Sequence, residues 1–344
     1  MSNRRKLQRI GLCNHSATIR SMHDLATLQP YLASTIEETD FDFLGKRYKG
    51  KVRDVYLPQP DKRVLIATDR QSAFDVQWCT IPLKGQVLTG ISAWWFGQIG
   101  DIMPTQVIAT PDPNVMVVKN LKMVPVEIVV RGYMTGSTGT SAWVNYEKGV
   151  RNFCGNRLPE GMRKNQRFDA PIITPTTKAE EDELIDPAGI LERGLSTKAQ
   201  WAEITEKAFA LFQRGQEVAA TKGLILVDTK YEMGYDDDGK LTIADEVHTP
   251  DSSRYWVAAS YEERFAAHKD PESLDKEFFR LWLRKQGWDY GKPKPEITDE
   301  VRLQLSAKYI DLSERMTSTT FVLPREIDTQ KRMETNLRKY FSKG

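Results

Sequence analysis

At 344 residues, 40% hydrophobic and 28% charged, the chain has an ordinary globular composition and exceeds one typical core, so two lobes with a helical appendage are expected. A formal net charge of +2 is too mild for a dedicated nucleic-acid binder, and no run approaches the ~18 to 20 apolar residues of a membrane span. Cys13, Cys79 and Cys154 suit neither a disulfide framework nor a zinc site, which points to a reducing compartment and a cytoplasmic location.

Residues 1–40 form a first segment, with Arg4, Arg5, Lys6, Arg9 and Arg20 and no acid before Asp24. It reads as a frayed basic leader, with an organelle transit segment as the alternative. Residues 41–125 make the first α+β lobe. In it, "GKRYKGKV" (Gly45 to Val52) has the glycine and lysine order of a P-loop, but Val52 stands where a Mg²⁺-holding hydroxyl is needed. The β-branched "VRDVYLP" that follows is strand rather than helix, so with "RVLIAT" the stretch is a hairpin with a glycine-rich tip. Lys49, Lys51 and Arg53 give that tip positive charge, and Gly50 permits close backbone approach to a ligand. Val87, Leu88, Ile91, Trp94, Trp95, Ile99 and Ile102 recur at helical spacing and predict an amphipathic helix ending at Pro104. "NVMVVKNLKMVPVEIVVRG" reads as two strands about a pivot near Lys122 and Pro125.

Residues 126–260 make the second lobe. "VVRGYMTGSTGTSAW" sets Arg131 at a strand end before a glycine and hydroxyl run, able either to bind phosphate or simply to cap the next helix. "ITPTTKAEEDE" has a capping-box spacing from Thr177 to Glu180 and leaves Lys178 ambiguous. Trp201, Ile204, Ala208, Leu211 and Val218 share one face of a helix from Ser196 to Lys222, ended by Gly223. In "LILVDTKYEMG" strand alternation puts Asp228, Lys230 and Glu232 on one face, and "YDDDGK" then "LTIADE" brings Asp245 and Glu246 back beside it. Two unpaired carboxylates about 4 Å apart repel by roughly 4 kcal/mol at an effective dielectric of 20, so the cluster calls for a cation. Mg²⁺, which takes one or two carboxylates plus phosphate oxygens, suits Glu232 and Asp245. "DEVHTPDSSRYW" presents Ser252, Ser253 and the Arg254 fork, while lone His248 reads as structural. Residues 261–344 are largely helical, with Leu274, Phe278 and Leu281 on one face and Thr298 as an N-cap.

This equipment suits phosphoryl transfer from a nucleotide to an anionic acceptor. The ordered motifs "KGKVRDVY", "TDRQSAFD", "VPVEIVVRGYMTGS", "TPTTKAE", "LILVDTKYEMG" and "DEVHTPDSSRYW", over residues 43 to 260, resemble the SAICAR synthetase family. The resemblance implies a two-lobed, ATP-grasp-like α+β fold with antiparallel sheets. It also implies ATP-dependent joining of L-aspartate to the carboxylate of carboxyaminoimidazole ribonucleotide (CAIR), with Mg²⁺. By that resemblance Lys51 and Arg53 cover the ATP phosphates, Lys119 to Glu127 runs along the adenine side, and Glu232 and Asp245 hold Mg²⁺. Arg131, Ser137 and Arg254 bind the CAIR phosphate, and Asp228 and Lys230 line the reaction centre. Asp69, Arg70, Ser72, Asp75 and Lys178 fall near the substrate carboxylates. The long "STGTSAWVNYEKGVRNFCGNRLPEGMRKNQ" insertion leaves Ser137, Thr138 and Ser141 all open as the phosphate-contacting hydroxyl. A kinase with a related D-x-K strand is the alternative, and an RNA-binding role for the leader is a third reading. The partners implied are small molecules, without nucleic acid or membrane, and the oligomeric state stays open.

Overall fold

A computed structural model describes residues 23–178 and 183–342, so the basic leader and Glu180 lie outside the described residues. After a short helix α1 (Leu25–Leu28), the chain builds a sheet from β1 (Arg47–Lys49), β2 (Arg53–Gln59) and β3 (Lys62–Ala67). The expected hairpin forms, with Tyr56 opposite Val64, while the glycine-rich stretch is the turn joining β1 to β2. A small hairpin, β4 (Arg70–Ala73) and β5 (Val76–Thr80), leads into helix α2 (Lys84–Gln98), and β6 (Val107–Asp112) and β7 (Val115–Lys119) complete the first sheet in the order β1-β2-β3-β7-β6.

Helix α2 departs from the amphipathic expectation. It ends at Gln98, and it buries Lys84, Thr89 and Ser92 as well as Val87, Leu88, Ile91 and Trp95, because both β3 and the late helix of residues 299–317 pack on it. A helix covered on several sides keeps no solvent face for its polar residues.

The second sheet has eight strands. β8 (Lys122–Met123) and β9 (Val126–Met134) enter it; helix α3 (Ala142–Glu147) and the hairpin β10 (Asn152–Phe153) with β11 (Asn156–Arg157) lie in the insertion, whose Ala142, Tyr146, Phe153 and Leu158 form a satellite core. β12 (Gln166–Ile173) and β13 (Thr176–Thr177) return to β9, and β14 (Glu183–Leu184) pairs with β13. Thr177 therefore sits in a strand, and the capping-box partner expected for it, Glu180, lies outside the described residues. Helices α4 (Pro187–Glu192) and α5 (Lys198–Thr221) precede the central strand β15 (Leu224–Tyr235), which pairs with β16 (Leu241–Ala244) and β17 (Ser253–Val257). Helix α5 starts at a Thr197/Gln200 capping box, ends beside Gly223 at φ +68°, and lays Trp201, Ile204, Ala208 and Leu211 on the sheet. At Gly215 an added Cβ would stand 2.4 Å from the His248 ring, so only glycine lets helix and sheet approach this closely. That histidine is wholly buried and 2.5 Å from the Tyr231 hydroxyl, and burial pushes its pKa down to about 3, so it is neutral and structural.

Four helices follow: α6 (Ala258–Ala266), α7 (Glu277–Lys285), α8 (Asp299–Thr317), capped by Thr298, and α9 (Thr329–Phe341). In α7 Phe279 and Leu283 face the core, where the sequence suggested Phe278 and Leu281; the apolar face is rotated by about one residue. The C-terminal region is not a separate layer, since α8 lies on α2 and α1, and Met333 and Leu337 of α9 join Phe41, Tyr56 and Val64 in the core behind the first sheet. No helix among the described residues is long and apolar enough to cross a membrane.

Candidate active site

The two sheets enclose a cavity of about 590 Å³, walled by the β1–β2 turn, β9, β15, the segment after β16 and residues 275–280. The alternation of β15 settles its floor. Asp228, Lys230 and Glu232 line the cavity, while Tyr231 and Met233 point into the core.

At one end Lys230 is the hub. Its Nζ lies 2.9 Å from Glu127, 2.5 Å from Glu232 and 3.9 Å from Asp245. Lys178 donates to the other oxygen of Glu232, and the Arg53 guanidinium bridges Asp245 and Glu246. The register pairs Glu232 with Ala244, and Asp245 follows in the left-handed region at φ +60°, so Asp245 and Glu232 converge on the same ammonium. Burial resists ionisation of Glu232, yet Lys230 and Lys178 override it and hold its pKa at about 2. For Lys230, burial opposes the charge, but Glu232, Asp245 and Glu127 raise its pKa well above the ordinary value. Both groups are charged in the working range.

The other end is rich in arginine. Asp228 accepts from Arg254 at 2.6 Å and Arg131 at 3.4 Å; Glu277 accepts from Arg254 at 3.3 Å and Arg280 at 3.0 Å. Three guanidinium groups thus face two carboxylates, and the surplus positive charge favours an anion. Burial lowers the Arg131 pKa to about 10, with Asp228 opposing and Arg254 reinforcing, which leaves it charged. Asp228 acts as a counter-ion that orients two arginines. Of the hydroxyls left open, Thr138 borders the cavity; Ser137 does not line it, and the Ser141 hydroxyl donates to the Thr138 carbonyl at 2.6 Å.

Besides Ser137, three expected site residues lie elsewhere. Asp69 is buried behind the wall, accepting from the Ile36 and Gly85 amides at 2.8 and 2.9 Å, and burial raises its pKa to about 6. Arg70 is wholly buried and donates to Asp54 at 2.8 Å and to the Gly50 and Lys51 carbonyls at 3.0 and 3.3 Å. It holds the glycine-rich turn in place instead of reaching a ligand. Lys119, at the exposed end of β7, pairs with Asp236 at 3.5 Å and does not line the cavity. Ser72 and Asp75 do line it, with Asp75 2.6 Å from Lys51. Sequence reasoning missed Asp251, Asp275, Lys276 and Arg280, all of which border the cavity. For Asp275 and Lys276 the signal was the charged triplet of "LDKEFF", three ionisable residues in an apolar frame.

Among the described residues no three histidine, cysteine or acidic side chains cluster as a ready-made metal cage. A carboxylate pair completed by substrate oxygens is the pattern that suits Mg²⁺.

Known proteins share this architecture. Residues 46–296 match the family model described as SAICAR synthetase. The phosphoribosylaminoimidazole-succinocarboxamide synthase of Legionella pneumophila is 50% identical over 289 residues, covering 83% of this chain and 92% of that protein. The chloroplastic enzyme of that name from Arabidopsis thaliana is 46% identical over 319 residues, covering 91% of this chain and 77% of its own. The Saccharomyces cerevisiae SAICAR synthase solved with SAICAR superposes with a TM-score of 0.73 at 32% identity, over 84% of this chain and all of that one. On these matches the chain belongs to the SAICAR synthetase family.

Proposed function

We infer that this protein joins L-aspartate to the carboxylate of CAIR at the expense of ATP, giving SAICAR, ADP and phosphate in purine biosynthesis. The observation that carries the reading is the division of labour along β15: an arginine-rich anion site at Asp228 and a lysine and carboxylate cluster at Glu232 share one cavity. A ribonucleotide phosphate suits the first and a triphosphate the second, which leaves the CAIR carboxylate near Lys230 between them.

Glu232 and Asp245 fit a Mg²⁺ ion, since both already converge on the Lys230 ammonium and both are oxygen donors. When bound, the ion would neutralise phosphate charge. The chain's own cations do related work. Lys51, on the turn held by Arg70, and Arg53, at the start of β2, would face the phosphates from the first sheet. Lys230 and Lys178 offset the negative charge of assembled anions, and Arg131, Arg254 and Thr138 orient the ribonucleotide. A carboxylate is a poor electrophile, so phosphorylation to an acyl phosphate before amine attack is the chemical route we favour. We treat residues 41–125 and 126–260 as the two lobes that close on these substrates, and the cytoplasm as the working compartment, with the chloroplastic name of the plant relative as the contrary indication.

A coupled ADP assay with CAIR, aspartate or ATP omitted in turn tests the reading. ADP release should require CAIR and aspartate together; release that is indifferent to aspartate would support a kinase instead.

A further inference from the structure

Four lysines line the cavity: Lys51, Lys178, Lys230 and Lys276. The first three donate to carboxylates, Lys51 to Asp75, Lys178 to Glu232, and Lys230 to Glu127 and Glu232. Lys276 differs. Its Nζ stands 3.9 Å from Asp251, beyond hydrogen-bond range, and its side chain is 13% exposed. Asp251 takes its hydrogen bonds from others, from Lys84 at 2.8 Å and from the Tyr309 hydroxyl at 2.8 Å, so Lys276 acts on it only through charge at a distance. The charged groups that face it are Asp251, Glu246, Arg280 and Lys84.

We propose that Lys276 is the proton acceptor for the incoming aspartate amine, an assignment that rests on the ligase reading above. Aspartate in solution carries an α-ammonium, which has no lone pair to attack an acyl carbon. A lysine that is sequestered, adjoins two other cations and donates no hydrogen bond to a carboxylate is the cavity lysine best able to be neutral. Burial lowers the pKa of Lys276 from 10.5 to about 8; Asp251 and Glu246 resist, while Arg280 and Lys84 reinforce the shift. A base titrating near the working pH is the effective kind. In the step, the Lys276 lone pair takes one proton from the α-ammonium. The freed amine forms the C–N bond to the acyl phosphate carbon as the bond from that carbon to the phosphoryl oxygen breaks and phosphate leaves with the electron pair. The second nitrogen proton is lost to solvent, giving the neutral amide, and Lys276 then returns its own proton to solvent.

The test compares wild type with Lys276→Arg and Lys276→Ala, using aspartate and, separately, hydroxylamine, a nucleophile that is uncharged near neutral pH. With saturating aspartate, both variants should lose roughly 10²-fold or more in kcat, while hydroxylamine-driven ADP release stays within a few-fold of wild type and reports an intact fold. Added alkylamines should restore aspartate turnover to Lys276→Ala in order of their basicity. An unchanged kcat with a raised KM for aspartate would make Lys276 a carboxylate-binding group and overturn the proposal. Equal loss with both nucleophiles would overturn it too. Wild-type protein with no CAIR- and aspartate-dependent ADP release would instead sink the ligase reading itself.

Discussion

The Arg70–Asp54 pair and the Lys230 cluster use the same chemistry at different depths. Both side chains of the first are wholly buried, and every oxygen and most donors have a fixed protein partner: Asp54 also accepts from the Thr39 amide and hydroxyl at 2.7 and 3.0 Å, and Arg70 clamps the carbonyls of the glycine-rich turn. The second is part-exposed, with Lys230 at 28%, Asp245 at 23% and Glu232 at 14%, and its charges border a cavity large enough for ligands to replace one another as partners. A closed ion pair fixes geometry, whereas an open one keeps charge ready for exchange. The difference follows from solvent access, since a buried charge that loses its partner has no water to fall back on.

Breaking the open cluster should have the largest effect. Glu232→Gln keeps the shape but removes one charge from the floor, and we expect a loss of roughly 10³-fold in kcat with a lowered but still cooperative unfolding transition, since the charge held by Lys230 and Lys178 is gone; near-normal turnover would refute the assignment of Glu232 to metal and phosphate chemistry. Breaking the closed pair should act on stability first. Arg70→Met strands a buried carboxylate and should cost about 3–5 kcal/mol in urea unfolding, and an unchanged midpoint would mean that the turn is held by something else. Arg254→Lys loses the fork that holds both Asp228 and Glu277, so KM for the ribonucleotide should rise about 10- to 100-fold, more than kcat falls; steady-state kinetics with CAIR as the varied substrate decide this.

Two smaller effects sharpen the contrast. Burial raises the Asp69 pKa from 3.8 to about 6, so the folded state holds its proton more tightly than the unfolded chain. Its contribution to stability is therefore greatest in acid and falls as pH rises from 3.8 to about 6, the reverse of Glu232, whose lowered pKa costs stability as pH drops toward about 2. Subtracting the unfolding free energies of Asp69→Asn from wild type across that window should give a falling curve; parallel profiles would contradict it. Lys119→Ala removes only a half-exposed pair with Asp236 and should alter kcat/KM less than about 2-fold. A large drop would return Lys119 to the nucleotide site.

Local pattern carried much of this. The alternation in "LILVDTKYEMG" was enough to put Asp228, Lys230 and Glu232 on one face, and the hairpin turns and the capping of α5 and α8 could be read directly from residue types. Motif reading went astray where neighbours in sequence parted in depth. "TDRQSAFD" contains Ser72 and Asp75, which border the cavity, and Asp69 and Arg70, which are buried behind it; nothing in these eight residues and their flanks distinguishes them.

By itself the sequence determined which face of each strand carries charge, where the main turns fall and that the chain resembles the SAICAR synthetases, because a strand's two-residue period and a turn's backbone demands are local properties. Only the tertiary structure decided which ions are closed and which are open, that Asp245 meets Glu232 over Lys230, that α2 is covered on several sides, and that Lys276 and Arg280 come from the far end of the chain to complete the wall. Burial and charge pairing depend on what distant segments bring to the same place, and no short stretch of residues carries that information.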